Sequence, residues 1–299
     1  MSRIKSGGRG SPVVTEMVDC HIHMVLDGVN WKDAIARHKA APQEALIRQT
    51  LGHYQALGFS YLRDGGDRWG VCSLAARLAP EYGIRYRIPG APIHKNGHYG
   101  GFIGRCFDTM ADFRALVEDA KRSGADFIKI MISGLMDFDR LGVLTDVPLT
   151  PEEIREMIAI AHGEGFSVMA HANGDATVAA AIAAGVDSIE HGAYLGQETL
   201  HRLAESRTVW VPTLVTFGNL IGCGRFPDAV LKPLLEGAME NVRTAASLGA
   251  LIAPGSDAGA FRVLHGQGTL DEYALLKAAI GEGCDEVLSR GIREIQARF

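Results

Sequence analysis

From one end of the 299-residue chain to the other, a short β-rich run alternates with a longer run of helical character. The strand candidates are MVDCHIHM (17–24), FSYLRDGG (59–66), IRYRIPGAPI (84–93), ADFIKIMIS (125–133), FSVMAHA (166–172), VDSIEHG (186–192), TVWVPTL (208–214) and ALIAPGSDAG (250–259). Between them lie helical runs such as DTMADFRALVEDAKRSG and TPEEIREMIAIAHGEG. The second is punctuated at its start by Thr150 as N-cap, Pro151 at the first helical position and acids in the first turn. Gly124, Gly165, Gly185 and Gly249 stand where helical runs give way to strands. Strand–helix alternation predicts a parallel sheet, and eight repeats fit an α/β fold of the closed (β/α)8 TIM-barrel type better than an open doubly wound sheet. The open three-layer sheet is the alternative.

Composition narrows the function classes. Hydrophobic residues make up 47% and charged residues 22%, the balance of an ordinary soluble globule. A net charge of −5, with no run of like charges, gives no electrostatic footprint for nucleic acid. Ala176–Val186, the longest uncharged apolar stretch of helical character, is about half a bilayer span, so no membrane association is expected. Cys20, Cys72, Cys106, Cys223 and Cys284 are scattered singly, without C-x-x-C spacing, which fits a reducing cytoplasm. The basic, Gly/Ser-rich N-terminus reads as a flexible leader over residues 1–14, leaving 15–299 as one barrel domain.

In such a barrel, reactive groups sit at the carboxyl ends of the strands. In VDCHIHM, Asp19, His21 and His23 occupy every second position, so an extended strand turns all three toward one face. Burying them unpaired costs several kcal/mol, which points to a ligand. A single His-x-His pair is a weak signal. The other strand ends strengthen it: Lys129 in DFIKIM, His171 in MAHANG, His191 in IEHGA and Asp257 in PGSDAG.

Each residue also has a structural reading. A strand-end histidine can be a hydrogen-bonded core residue, Lys129 can pair with Asp126 or Asp257, and Asp257 can be a turn or N-cap residue. Asp19 reads as a supporting partner, and Glu190 as structural, on the face opposite His191. Arg63 and Asp64 read as an ion pair at the barrel floor. His38, His53, His162 and His201 fall on helical runs and read as surface residues.

Taken in order, the set resembles the metal-dependent amidohydrolase superfamily, whose signature runs His-x-His, Lys, His, His, Asp on strands one, four, five, six and eight of a TIM barrel. GFSYLRDGG, FIKIMISG, AHANG, IEHGAYL, VPTL and GSDAGA are most similar to its prolidase-like and imidazolonepropionase-like branches; PIHKNGHYGG resembles the third-strand loop of the former. The resemblance implies that His21, His23 and Asp257 hold one divalent metal and His171 and His191 a second. The expected cofactor is two Zn2+ per chain, bridged by Lys129 as an Nζ-carbamate, with Asp257 also moving protons. It further implies substrate contacts from His98 and Tyr99. The long segment Gly134–Pro148 is expected to act as a lid, where Arg140 faces either an anionic substrate or solvent.

One departure stands out. Relatives of these branches carry a small β-sandwich built from residues before strand one and after the last barrel helix, and no strand candidates are left here to build it. The barrel is expected either to stand without it or to cover the exposed face as a homo-oligomer. The expected function is a binuclear metal-dependent hydrolase that cleaves an amide or peptide-type C–N bond in a small carboxylate-bearing molecule, such as a dipeptide, N-acyl amino acid or cyclic amide. Lactone hydrolysis or metal-dependent decarboxylation on the same ligands is an alternative, as is a catalytically silent barrel acting as a binding subunit. A mononuclear deaminase would need a glutamate close after His171, which HANGD lacks.

Overall fold

A computed structural model describes residues 17–299, so the leader expected over residues 1–14 lies outside the described residues. The strands are β1 (Met17–Ile22), β2 (Phe59–Asp64), β3 (Arg85–Arg87), β4 (Ile93–Lys95), β5 (Arg105–Phe107), β6 (Ile128–Met131), β7 (Val168–Ala172), β8 (Ser188–His191), β9 (Val209–Val211) and β10 (Leu251–Ile252). Every ladder between them is parallel. They form one sheet in the order β1-β2-β3 and a second in the order β10-β9-β8-β7-β6-β4-β5.

All eight expected runs contain strand, with two differences. The run 84–93 splits, because Pro89 and Pro92 lack the N–H that a ladder needs and Gly90 turns at φ +72°. β3 therefore pairs with β2, while β4 pairs with β6. The short β5 adds a strand that no alternation in its three residues announced.

The second difference is at the seams. β1 meets the segment after β10 through Cys20 N to Pro254 O (2.9 Å), Asp257 N to His21 O (2.7 Å) and His23 N to Ala258 O (2.8 Å). On the other side Asp126 N donates to Ile88 O at 2.8 Å. The result is a barrel-like α/β fold in two parallel sheets, bridged at both seams by individual hydrogen bonds rather than by one continuous ladder.

The helices pack their apolar stripes on the outer faces of the strands. Helix Pro151–Gly163 starts in a capping box, Thr150 with Glu153, and buries Ile154, Met157, Ile158 and Ala161. That is the i, i+3, i+4, i+7 stripe of a one-sided helix, and each buried aliphatic contributes roughly 1.5–3 kcal/mol. It joins a core cluster with Ile128, Ile130, Val168 and Ala170. Among the described residues no helix is long and apolar enough to cross a membrane. With the outer faces packed in this way, the carboxyl ends of β1, β6, β7, β8 and the segment after β10 converge on one mouth.

Candidate functional site

Three strand-end groups meet closely at that mouth. His21 Nε2 lies 3.3 Å from His23 Nε2, and Asp257 Oδ1 lies 3.5 Å from the first and 3.3 Å from the second. This is a ligand-like cluster, with one donor atom from each residue lying within 4.8 Å of the others. Gly65 makes room for it: a Cβ there would stand 2.2 Å from His23 Cε1. The ring of His191 is centred 5.2 Å from that of His21 and 4.6 Å from that of His171. Lys129 is buried between these elements, and its Nζ has no hydrogen-bond partner. Asp126, one sequence candidate to pair with it, is instead bound to Arg87 and the Ile88 N–H.

Protein contacts occupy one nitrogen each of His171 and His191 and leave the other free. His21 Nδ1 lies 2.9 Å from Glu190 Oε2, close but misaligned for a good hydrogen bond. His171 Nε2 faces Gly134 O at 3.1 Å, which makes Nε2 the protonated nitrogen and leaves the Nδ1 lone pair available. His191 Nδ1 meets Thr213 Oγ1 at 2.8 Å. Burial, followed by the nearby Lys129, pushes His171 down to about 3 and His21 well below the ordinary imidazole range. Burial and the neighbouring His171 do the same to His191. His21, His171 and His191 are therefore neutral at pH 7, the state in which they can donate a lone pair to a cation. Burial also lowers Lys129 to about 8.

The backbone is strained where it delivers these groups. His191 (φ +70°), Thr213 (φ +49°) and Asp257 (φ +58°) all sit in the left-handed region, costing of order 1–3 kcal/mol each. His191 is held there by Trp210 Nε1 donating to its carbonyl at 3.0 Å. This strain explains a sequence expectation that fails. Two-fold alternation assigns Glu190 to the face opposite His191, but the left-handed turn at His191 ends the alternation and both side chains point inward. Glu190 is fully buried against Arg63, which donates to Oε1 at 2.8 Å, and Ser188, which donates at 2.6 Å. Arg63 thus pairs with Glu190 and not with Asp64, whose carboxylate accepts from Tyr86 Oη at 2.5 Å and from Gly66 N at 2.7 Å.

Asp19 supports the cluster from below. Its carboxylate accepts from Ser256 Oγ and Thr269 Oγ1, each at 2.5 Å, and so ties β1 to the segment carrying Asp257. Burial raises it to about 6 against those hydrogen bonds.

Above the cluster opens a cavity of about 380 Å³ lined by His23, His191, Asp257 and Tyr99, among others. Tyr99 stacks on His171, with ring centroids 4.8 Å apart. His98 and Arg140 do not line it. His98 Nδ1 faces Val147 O (3.2 Å) and Asp146 (3.3 Å), and Arg140 pairs with Asp137 inside its own loop. That loop, 134–148, folds back as a hairpin in which Asp137 N donates to Val143 O and Thr145 N to Leu135 O. His38, read as a surface residue, is buried, with Nδ1 accepting from Gln43 N.

Comparison with known proteins agrees with this geometry. Residues 72–280 match the amidohydrolase family. An uncharacterized protein of Mycobacterium tuberculosis is 32% identical over 199 residues, covering 64% of this chain and 51% of that protein. Ochratoxinase of Aspergillus niger is 27% identical over 279 residues, covering 80% of this chain and 56% of the enzyme. The chain therefore spans about half the length of the curated relatives it matches. Among solved structures, a Xaa-Pro dipeptidase with methionine bound in its active site superposes with a TM-score of 0.75 at 21% identity, over 100% of this chain and 82% of that one. The A. niger ochratoxinase structure gives 0.75 at 21% identity, over 95% and 71%.

Proposed function

The chain belongs to the amidohydrolase family, and on that premise we propose that it is a binuclear metal-dependent hydrolase opening an amide or peptide-type C–N bond in a small carboxylate-bearing substrate. In this reading residues 15–299 are one domain, whose three-stranded and seven-stranded sheets together make up a single (β/α)8 barrel.

Lys129 carries the proposal. A buried ammonium without a partner is costly, whereas the same nitrogen as a carbamate presents two anionic oxygens to neighbouring cations. Its lowered pKa of about 8 leaves an appreciable fraction of neutral amine at neutral pH. The amine nitrogen adds to the carbon of CO2 and loses a proton, giving the carbamate. The donor set suits divalent ions: His21, His23 and Asp257 would hold one, His171 and His191 a second, with Lys129 between them. When bound, two such ions polarise a carbonyl and acidify a water.

The chain's own residues supply the rest. Asp257 lines the cavity and has the exposure to take a proton from water and return it to the leaving nitrogen. Thr213 and Gly134 fix the ring orientations of His191 and His171, so the free nitrogens stay aimed inward. Tyr99 covers His171 and limits water access from that side. The dipeptidase and ochratoxinase likenesses support an amide-type substrate.

The test is amine release from a panel of dipeptides and N-acyl amino acids. We expect turnover that requires divalent metal, with kcat falling about 10²–10⁴-fold in Asp257→Asn. Turnover insensitive to both a chelator and that substitution would refute the assignment.

A further inference from the structure

The cavity over the candidate metal cluster is walled by aromatic rings drawn from several different loops. Trp31, at the start of helix Trp31–His38, meets Phe102 edge-on at 5.7 Å, and Phe102 meets Tyr99 at 5.7 Å. A second lining pair is Phe138, from the 134–148 hairpin, packed on Phe226 at 5.3 Å. Arg225 lines the cavity too, and apart from the histidines it is the one cationic side chain among the described lining residues. Its guanidinium lies over Phe226 (5.1 Å) and Phe261 (4.7 Å).

Two features of this lining are unusual for a solvent-filled opening. Trp31 is 47% exposed, although a large apolar ring at the surface gains by being covered. Arg225 is held by ring faces, which leaves its planar N–H fork free for an incoming anion. The two walls offer faces and edges to a flat ring, while a ligand with small aliphatic groups would leave much of the volume unfilled.

We propose that this cavity selects amides bearing both a planar aromatic group and a carboxylate, with the ring held between the Trp31–Phe102 and Phe138–Phe226 walls and the carboxylate bound by Arg225. An N-aroyl amino acid is the simplest member of the class. The fate of such a ligand rests on the hydrolase reading above; its binding does not.

Hydrolysis-resistant sulfonamides separate the two. Dissociation constants of N-benzenesulfonylglycine, N-methanesulfonylglycine and N-benzenesulfonylglycinamide are measured by titration calorimetry on the full chain. The phenyl acid is expected to bind about tenfold tighter than the methyl acid. Arg225→Met is expected to weaken the phenyl acid about tenfold and leave the glycinamide unchanged, an internal comparison that a misfolded variant would fail. Equal binding of phenyl and methyl acids, or equal loss for acid and amide in Arg225→Met, overturns the proposal. Hydrolysis of N-benzoylglycine and N-acetylglycine is assayed in parallel. The expected binding preference without any hydrolysis upholds the pocket assignment and sinks the hydrolase reading. Equal kcat/KM for both substrates, with no binding preference, does the reverse.

Discussion

At the floor of the barrel and at its mouth the chain buries the same kinds of polar side chain, but it bonds them in opposite ways. Below, Arg63 donates to Cys20 O, Ser188 and Glu190, and Asp19 is tied to Ser256 and Thr269. Above, Lys129 Nζ has no partner and the imidazoles keep nitrogens free toward one another and toward Asp257. Buried polar atoms in native proteins are nearly always satisfied. A network satisfied at every atom but Glu190 Oε2 reads as architecture, and a clustered set of unsatisfied polar atoms reads as a site awaiting a ligand.

Substitution at each level exposes the difference. The largest effect belongs to Arg63→Met, which leaves the Glu190 carboxylate buried and uncompensated. We expect a loss of about 3–5 kcal/mol in a denaturant titration. Lys129→Met should act in the opposite direction in metal-free protein, because it removes a buried ammonium that has no partner. Stability is expected to hold or to rise by about 1–3 kcal/mol. A loss as large as that of Arg63→Met would erase the distinction between floor and mouth.

A pH dependence sharpens the comparison at a third buried group. Glu272 accepts from Val215 N at 2.8 Å through one oxygen, leaves the other unpaired, and is pushed up by burial to about 8. Its folded pKa lies above the unfolded value of 4.5, so the native state binds more protons than the unfolded one between those limits. Its contribution is full below pH 4.5 and is lost as pH rises toward 8. Glu272→Gln should match the parent near pH 5 and gain on it by up to about 1.4 kcal/mol per pH unit as pH approaches 8. Parallel stability curves would mean that Glu272 is already ionised in the folded protein.

The sequence displayed the convergence of strand-end groups more clearly than the framework behind it. His21, His23, Lys129, His171, His191 and Asp257 were legible because each ends a β-rich run and barrel topology brings such ends together. The eight runs were legible for the same reason, through alternation with helices whose caps are local signals such as Thr150-Pro151. Arg63 with Glu190 was not: the partners are 127 residues apart, and the left-handed backbone at His191 breaks the period from which facing is inferred. The split at Pro89–Pro92 was visible as two prolines, but which neighbour each half joins depends on tertiary pairing. His98 and Arg140 look like substrate contacts in a Gly-rich loop and a long loop, yet Val147, Asp146 and Asp137 take them up locally. The aromatic lining from Trp31, Phe138 and Phe226 carried no motif, because its members come from separate loops and meet only in three dimensions.

Calorimetric titration of metal-free protein with Zn2+ tests most directly whether the mouth is a metal centre. We predict saturable uptake of about two equivalents per chain, reduced in both Lys129→Ala and His171→Ala. No saturable uptake, or uptake that both variants leave unchanged, would contradict it.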